Sequence, residues 1–202
     1  MLRRFGGALI ALALASAPAA SQTVEFVYTK FDSKQCKHRK GRAPEDYGSW
    51  LCPGYEKIPV RLSAGDQRMQ VTFGNWKDDL AASQTLSGFN DVYEGTVEWR
   101  IERRSAGKAR PFATILRWNL VTARDSENAT GPIKSTGRIL VVTRLGPGGV
   151  CHVGYVDARA NSDANELARK IADEHARAFK CGKDARIVLG KPGDIAMPQG
   201  SD

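Results

Sequence analysis

Two neighbouring stretches decide the fold: Val150-Cys-His-Val-Gly-Tyr-Val-Asp157, and Asp163-Ala-Asn-Glu-Leu-Ala-Arg-Lys-Ile-Ala-Asp-Glu-His-Ala-Arg-Ala-Phe-Lys180, with Cys181 directly after. The first is rich in β-branched and aromatic residues and reads as a strand. In the second, Ala164, Leu167, Ala168, Ile171, Ala178 and Phe179 recur at helical spacing. That stripe predicts a helix over 163–180 with one apolar face. Asp163 with Glu166 resembles a capping box, and Gly182 stands where helices commonly stop. The strand from 157 back to 151 covers about 20 Å, and the helix rises about 27 Å. A connection at 158–162 takes up the difference, so a helix folded back on the strand brings Cys181 to Cys151. Val153 and Tyr155, reading as one face with Cys151, supply a surface for Leu167, Ile171 and Phe179.

Working back along the chain, other strands show themselves by alternation. Residues 24–30 are β-branched and aromatic. Ile58, Val60 and Leu62, then Met69, Val71 and Phe73, give a hairpin with one buried side. In 96–104, Val97, Trp99 and Ile101 face one way and Glu98, Arg100 and Glu102 the other. In 112–122, Phe112, Leu116, Trp118 and Leu120 fall together, and 137–145 is more apolar throughout. Gly146-Pro-Gly-Gly149 turns the chain into the Cys151 strand. Residues 31–57 and 123–135 read as loops, 75–95 is ambiguous with a short helix near Asp79, 186–189 reads as a short strand, and the Gly- and Pro-rich tail from Gly190 as loose. The connections are short. The expected architecture is α+β: a meandering antiparallel β-sheet with one C-terminal amphipathic helix on its apolar face, as a single domain over 21–189.

The first twenty residues have another logic. Arg3 and Arg4 precede the apolar run Phe5–Ala15, and small residues follow at Ser16-Ala-Pro-Ala-Ala20. That order predicts a secretory signal peptide cleaved near Ala20, and hence a periplasmic or secreted protein. The run is too short to span a bilayer as a helix, so the mature chain is not expected to span the membrane. The formal charge is +8, and losing Arg3 and Arg4 from that total leaves +6. A moderately basic surface suits an anionic envelope component or an acidic secreted protein, with no nucleic-acid arm. Four cysteines in an exported chain predict two disulfides. With Cys151 taken by Cys181, Cys36 is left to Cys52. No close Cys pair of the zinc-site kind is present.

The residues that could carry chemistry are few. Cys151 and His152 are adjacent on a strand and point to opposite faces, and Cys151 is claimed by a disulfide. His175 lies at the border of the helix stripe. Asp78-Asp79 and Glu45-Asp46 are the nearest things to paired carboxylates, and neighbouring carboxylates in loops are ordinarily solvated. Three histidines without H-x-x-x-H spacing argue against a catalytic metal, and no cofactor is expected. Asn128-Ala-Thr130 matches a glycosylation acceptor only by chance, since the leader is bacterial in style. The densest basic run, Lys37, Arg39, Lys40 and Arg42 around His38, is the candidate anion-binding site. Arg100, Arg104 and Arg117 form a second basic group on the outer side of two paired strands.

Trp50-Leu-Cys-Pro-Gly-Tyr55, followed by Ile58-Pro-Val60 and by Asp66 and Arg68, resembles a pattern in a family of exported alphaproteobacterial proteins. The resemblance covers roughly residues 26–74, and Ala178-Phe-Lys-Cys-Gly182 is similar in style. It implies export, and no activity, substrate or site residue. The expected function is a non-catalytic binding module of the periplasm or envelope. The alternatives are an inhibitor docking on a secreted enzyme such as a lysozyme through the loop 37–57, and an envelope hydrolase using carboxylates that the sequence does not single out.

Overall fold

The computed structural model describes residues 23–103, 109–195 and 197–198; the expected leader lies outside them. In chain order the elements are β1 (Thr23–Asp32), β2 (Lys37–Arg39), β3 (Asp46–Cys52), β4 (Val60–Gly65), β5 (Arg68–Phe73), β6 (Asn90–Asp91), β7 (Glu94–Arg103), β8 (Arg110–Leu120), α1 (Ala123–Glu127), β9 (Gly137–Arg144), β10 (Cys151–Asp157), α2 (Ala164–His175) and β11 (Ile187–Val188). The fold is α+β and mostly strand.

The strands form two sheets, which corrects the expectation of a single meander. The larger runs β1-β7-β8-β9-β10-β11, with β6 on β8, and the smaller runs β2-β3-β4-β5. All pairs are antiparallel except β10 with β11. The reason is apolar surface. The centre of β8 is buried on both faces, and one helix can cover only one of them. Val60, Leu62, Met69, Val71 and Phe73 close over Val97, Trp99, Leu116, Trp118 and Val141 on the other side. Exposing either tryptophan would forfeit a few kcal/mol of burial. Residues 31–57, read as a loop, hold β2 and β3; strands this short, with one face in water, lack the apolar alternation that betrays a buried strand.

On the opposite face, Ala164, Ala168, Ile171 and Ala172 of α2 share a core with Phe112, Ile115, Val142 and Val153. Two bulges decide which side chains reach that face. The β7–β8 register slips between Arg100 and Ile101, which pair with Ala113 and Pro111. Phe112 is therefore the extra residue and joins Ala113 on the helix side, away from Leu116 and Trp118. A second slip between His152 and Gly154 sends Tyr155 to the inter-sheet core, so only Cys151 and Val153 of the expected trio face the helix.

The helix is shorter than its stripe. It ends at His175, and 176–181 continue as turns to the Cys151–Cys181 bridge. Asp163 occupies the N-cap but makes no side-chain cap bond, so the expected capping box is absent. The C-terminal end is held from outside instead. Arg144, 9% exposed, donates through Nη1 to the carbonyls of Ala176, Arg177 and Phe179 at 3.3 Å each, and through Nη2 to Pro147 O at 2.6 Å. A guanidinium among terminal carbonyls satisfies them and opposes the helix dipole. Arg144→Met is expected to cost about 1.5–3 kcal/mol in urea unfolding, the range for hydrogen bonds to a charged group. Hydrogen exchange should rise first at 176–181.

A capping box does occur, in the stretch 123–135 read as a loop. Thr122 Oγ1 accepts from Asp125 N, and the Asp125 carboxylate accepts from the N–H groups of Thr122 and Thr136. Those backbone donors hold the Asp125 carboxyl down at about 2. The tail, expected loose from Gly190, is pinned as far as Ile195. Lys191 exchanges backbone bonds with the Asn161 amide, and Ile195 packs on the inter-sheet core.

Candidate anion-binding face

The Cys36–Cys52 disulfide ties the start of β2 to the end of β3. Register then fixes which side chains share a face. Lys37 lies opposite Leu51, which lies opposite Arg61, which lies opposite Thr72. The next row on the same face is Arg39, Ser49, Ser63 and Gln70. These two rows floor a groove of about 450 Å³ on the outer side of the smaller sheet, with Asn75 and Ala82 at its margin. Lys37 and Arg61 stand two strands apart, roughly 10 Å, and Arg39 is one side-chain repeat from Lys37, roughly 7 Å.

Among the described residues the groove lining contains three cations and no carboxylate, and none of the three has an acidic partner. Arg61 donates to Asn75 Oδ1 at 3.3 Å. Ser63 Oγ donates to Gln70 Oε1 at 3.0 Å, which leaves the amide N–H bonds of Gln70 available as donors. The hydroxyl protons of Ser63 and Thr72 are committed to Gln70 and Asp79, so the floor offers positive charge, the Ser49 hydroxyl and the Gln70 amide to a phosphate or carboxylate.

The structure divides the expected basic run. Lys37 and Arg39 meet in the groove, whereas Lys40 and Arg42 sit on the exposed β2–β3 connection. That connection is clamped by Asp46, whose carboxylate accepts from Arg42 N and Gly48 N. A Cβ at Gly41 would collide with Asp46 O, so glycine is required there. His38 faces the other way and stacks on Trp50, ring centroids 4.6 Å apart. Arg61 completes the site, and its only trace in the sequence is its place on the polar side of the 58–74 hairpin. Which strand would lie beside it depends on long-range pairing.

The remaining candidates have structural work. Asp46 is the clamp just described. Asp79 accepts from Thr72 Oγ1 at 2.7 Å and Ala82 N at 3.2 Å, and its backbone bridges Val150. His152 is 1% exposed; its backbone N donates to Gln84 Oε1, and Nδ1 lies 3.0 Å from Tyr155 Oη. Burial, aided by the charge of Arg186, pushes the imidazole down to about 3. His175 is exposed beside Glu174. Arg100 belongs to no surface patch: it is buried between Glu98 and Asp173. Arg117 is exposed, and Arg104 lies outside the described residues.

No protein-family model, curated protein or solved structure matches the chain. Two disulfides mark an oxidising, extracytoplasmic compartment. Among the described residues no helix is long and apolar enough to cross a membrane.

Proposed function

We propose that the protein is a non-catalytic, exported binding module that holds an anionic component of the cell envelope on the outer face of the β2–β5 sheet. One observation carries the reading: Lys37, Arg39 and Arg61 share a groove with the Ser49 hydroxyl and the Gln70 amide and with no lining carboxylate among the described residues. A spacing near 10 Å between the outer cations suits a ligand with several anionic groups, such as a phosphorylated lipid or an acidic polysaccharide. An open sheet face with Leu51 exposed between the cations and no converging acid–base groups in its lining fits retention and not turnover. Cleavage of the leader near Ala20 and the kinship suggested by Trp50–Tyr55 belong to the same reading.

The test is retention at low salt on three probes: phosphatidylglycerol vesicles, lipopolysaccharide and a soluble acidic polysaccharide. Lys37→Glu/Arg39→Glu/Arg61→Glu is expected to abolish binding to the preferred probe. Lys40→Glu/Arg42→Glu is expected to keep most of it. Binding should weaken steeply as salt shortens the screening length to about 8 Å. The probe retained most strongly tells a lipid headgroup from a glycan. Unchanged retention in the triple variant overturns the assignment. Loss confined to the Lys40/Arg42 variant moves recognition to the disulfide-closed tip, the surface an enzyme inhibitor would present.

A further inference from the structure

We infer that β1 is the interface through which two copies of this chain pair, edge to edge, about a twofold axis normal to the larger sheet. The observation is how the four sheet edges are finished. The β2 edge is three residues long and basic, Lys37-His-Arg39. The β5 edge is covered by the segment before β6: Met69 N donates to Asn90 Oδ1, Thr85 Oγ1 to Met69 O, and Asn90 N to Gln67 O. The β11 edge is two residues long. Such devices keep unpaired backbone from recruiting another strand.

The β1 edge is neither short nor covered, and its one basic residue is Lys30, near its C-terminal end. Ten consecutive residues, Thr23–Asp32, pair with β7 without a bulge, and among the described residues nothing pairs on the other side. Phe26, Val27 and Tyr28 are consecutive and 53%, 37% and 50% exposed. A long, straight edge with an exposed apolar centre is a template for an added strand.

The strand's own pattern names the second copy as its partner. A twofold axis normal to the sheet leaves each residue on its own face, so opposed residues must both be odd or both even in number. Centring the axis on Val27 sets Val27 against its own copy, Phe26 against Tyr28 of the second copy, and Glu25 against Thr29. Four aromatic rings then gather on one face, where Phe26 and Tyr28 already meet edge-on at 5.4 Å and Arg169 lies 5.6 Å from the Phe26 ring. Centring on Tyr28 would oppose Glu25 to the buried Phe31, and centring on Phe26 would oppose Glu25 to Val27. The Val27 register alone sets all three exposed apolar residues, Phe26, Val27 and Tyr28, against one another, with Val24 against Lys30 and Thr23 against Phe31 at its ends. It also places both smaller sheets on one side of the joined larger sheet, so two basic grooves face the same way and can engage one polyanionic surface with avidity.

Sedimentation of the disulfide-intact chain is expected to give a mass of two chains that dissociates on dilution. Val27→Cys should form an intermolecular disulfide under mild oxidation, while Phe26→Cys and Tyr28→Cys should cross-link far less. Val27→Lys should shift the mass to one chain with its far-ultraviolet circular dichroism unchanged. A one-chain mass at every concentration overturns the proposal, as does a Val27→Lys protein that stays dimeric. Efficient cross-linking through Tyr28→Cys in place of Val27→Cys overturns the register.

Discussion

Arg100→Met is expected to lower the unfolding free energy by about 3–5 kcal/mol, the usual cost of removing one partner from a buried ion pair. Arg100 is the middle rung of a ladder between β7 and α2. On the strand, Glu98, Arg100 and Glu102 alternate at about 6.7 Å per repeat. On the helix and in the first turn after it, Arg169, Asp173 and Arg177 recur at about 6 Å. The near-equal repeats let each charge meet its opposite. Arg169 reaches Glu98 at 2.9 Å, Arg100 reaches Asp173 at 2.6 Å, and Arg177 reaches Glu102 at 3.3 Å. Arg100 also bonds Glu98 at 2.9 Å, and Arg110 bonds Glu102 at 2.7 Å. Phe112 lies under the Arg177 guanidinium at 3.6 Å, closing that end to water. Arg100→Met strips Asp173 of its partner and halves the charge compensation of Glu98. Arg100→Met/Asp173→Leu should be less destabilised than the single variant, because the orphaned carboxylate goes as well. Urea unfolding of the four proteins in the cycle reads the coupling. A single variant within 1 kcal/mol of the parent, or a double variant showing simple additivity, would reduce the ladder to a surface ornament.

That ladder also shows where the sequence stops being legible. Glu98, Arg100 and Glu102 do face away from Val97, Trp99 and Ile101, because strand parity is local. Their burial is not local, since it requires knowing that α2 lies across them. Helix spacing at Arg169, Asp173 and Arg177 is visible, yet those residues read equally well as a solvated face. The Cys151–Cys181 and Cys36–Cys52 pairings observed are those that chain length and elimination point to. The Cys151–Cys181 pairing survives the shorter helix, because the 12-residue helix rises about 18 Å and the turn at 176–181 supplies the remainder. Phe112 and Tyr155 lie on the faces opposite to those their alternation predicts for one shared reason: a bulge inverts parity and leaves no reliable mark in sequence. The second sheet follows from demand for burial. Once both faces of β8 are apolar, the 58–74 hairpin has to cover one, but alternation in the hairpin does not say which. Two of the groove's three cations, Lys37 and Arg39, are legible as a charge run; Arg61 joins them only through pairing between β3 and β4.

Acidification is expected to destabilise the fold well above the range where carboxylates titrate, and His152 is the cause. Its ring is enclosed by Trp118 and Tyr155, both edge-on, at centroid distances of 5.8 Å and 5.7 Å. In the native state the imidazole takes up a proton only near pH 3, whereas in the unfolded chain it does so near 6.5. Between those values the unfolded state binds more protons than the native state, so unfolding becomes easier as pH falls. The slope approaches about 1.4 kcal/mol per pH unit, and the total on reaching pH 3 is on the order of 4–5 kcal/mol. Asp125, with its carboxyl lowered from 3.8 to about 2, begins to lose its own contribution only near pH 3.8, where the unfolded chain takes up that proton, and has lost it once pH falls through the folded value. Measurements from pH 6.5 to 4.5 are therefore dominated by the histidine, with Glu25, whose carboxyl is lowered by its hydrogen bonds from Arg103, contributing only toward the acid end. His152→Asn keeps a polar atom near the Tyr155 hydroxyl and removes the titration. The variant should be less stable than the parent at pH 7, and its stability should be nearly flat over this interval, so the two curves converge on acidification. A parent protein equally stable at pH 6.5 and 4.5 would mean that His152 accepts its proton without unfolding. A His152→Asn protein that keeps the parent's slope would place the acid sensitivity elsewhere. The expected result is a fold that is stable at neutral pH and opens from the inter-sheet core outward, because the charge that water must reach lies beneath Trp118.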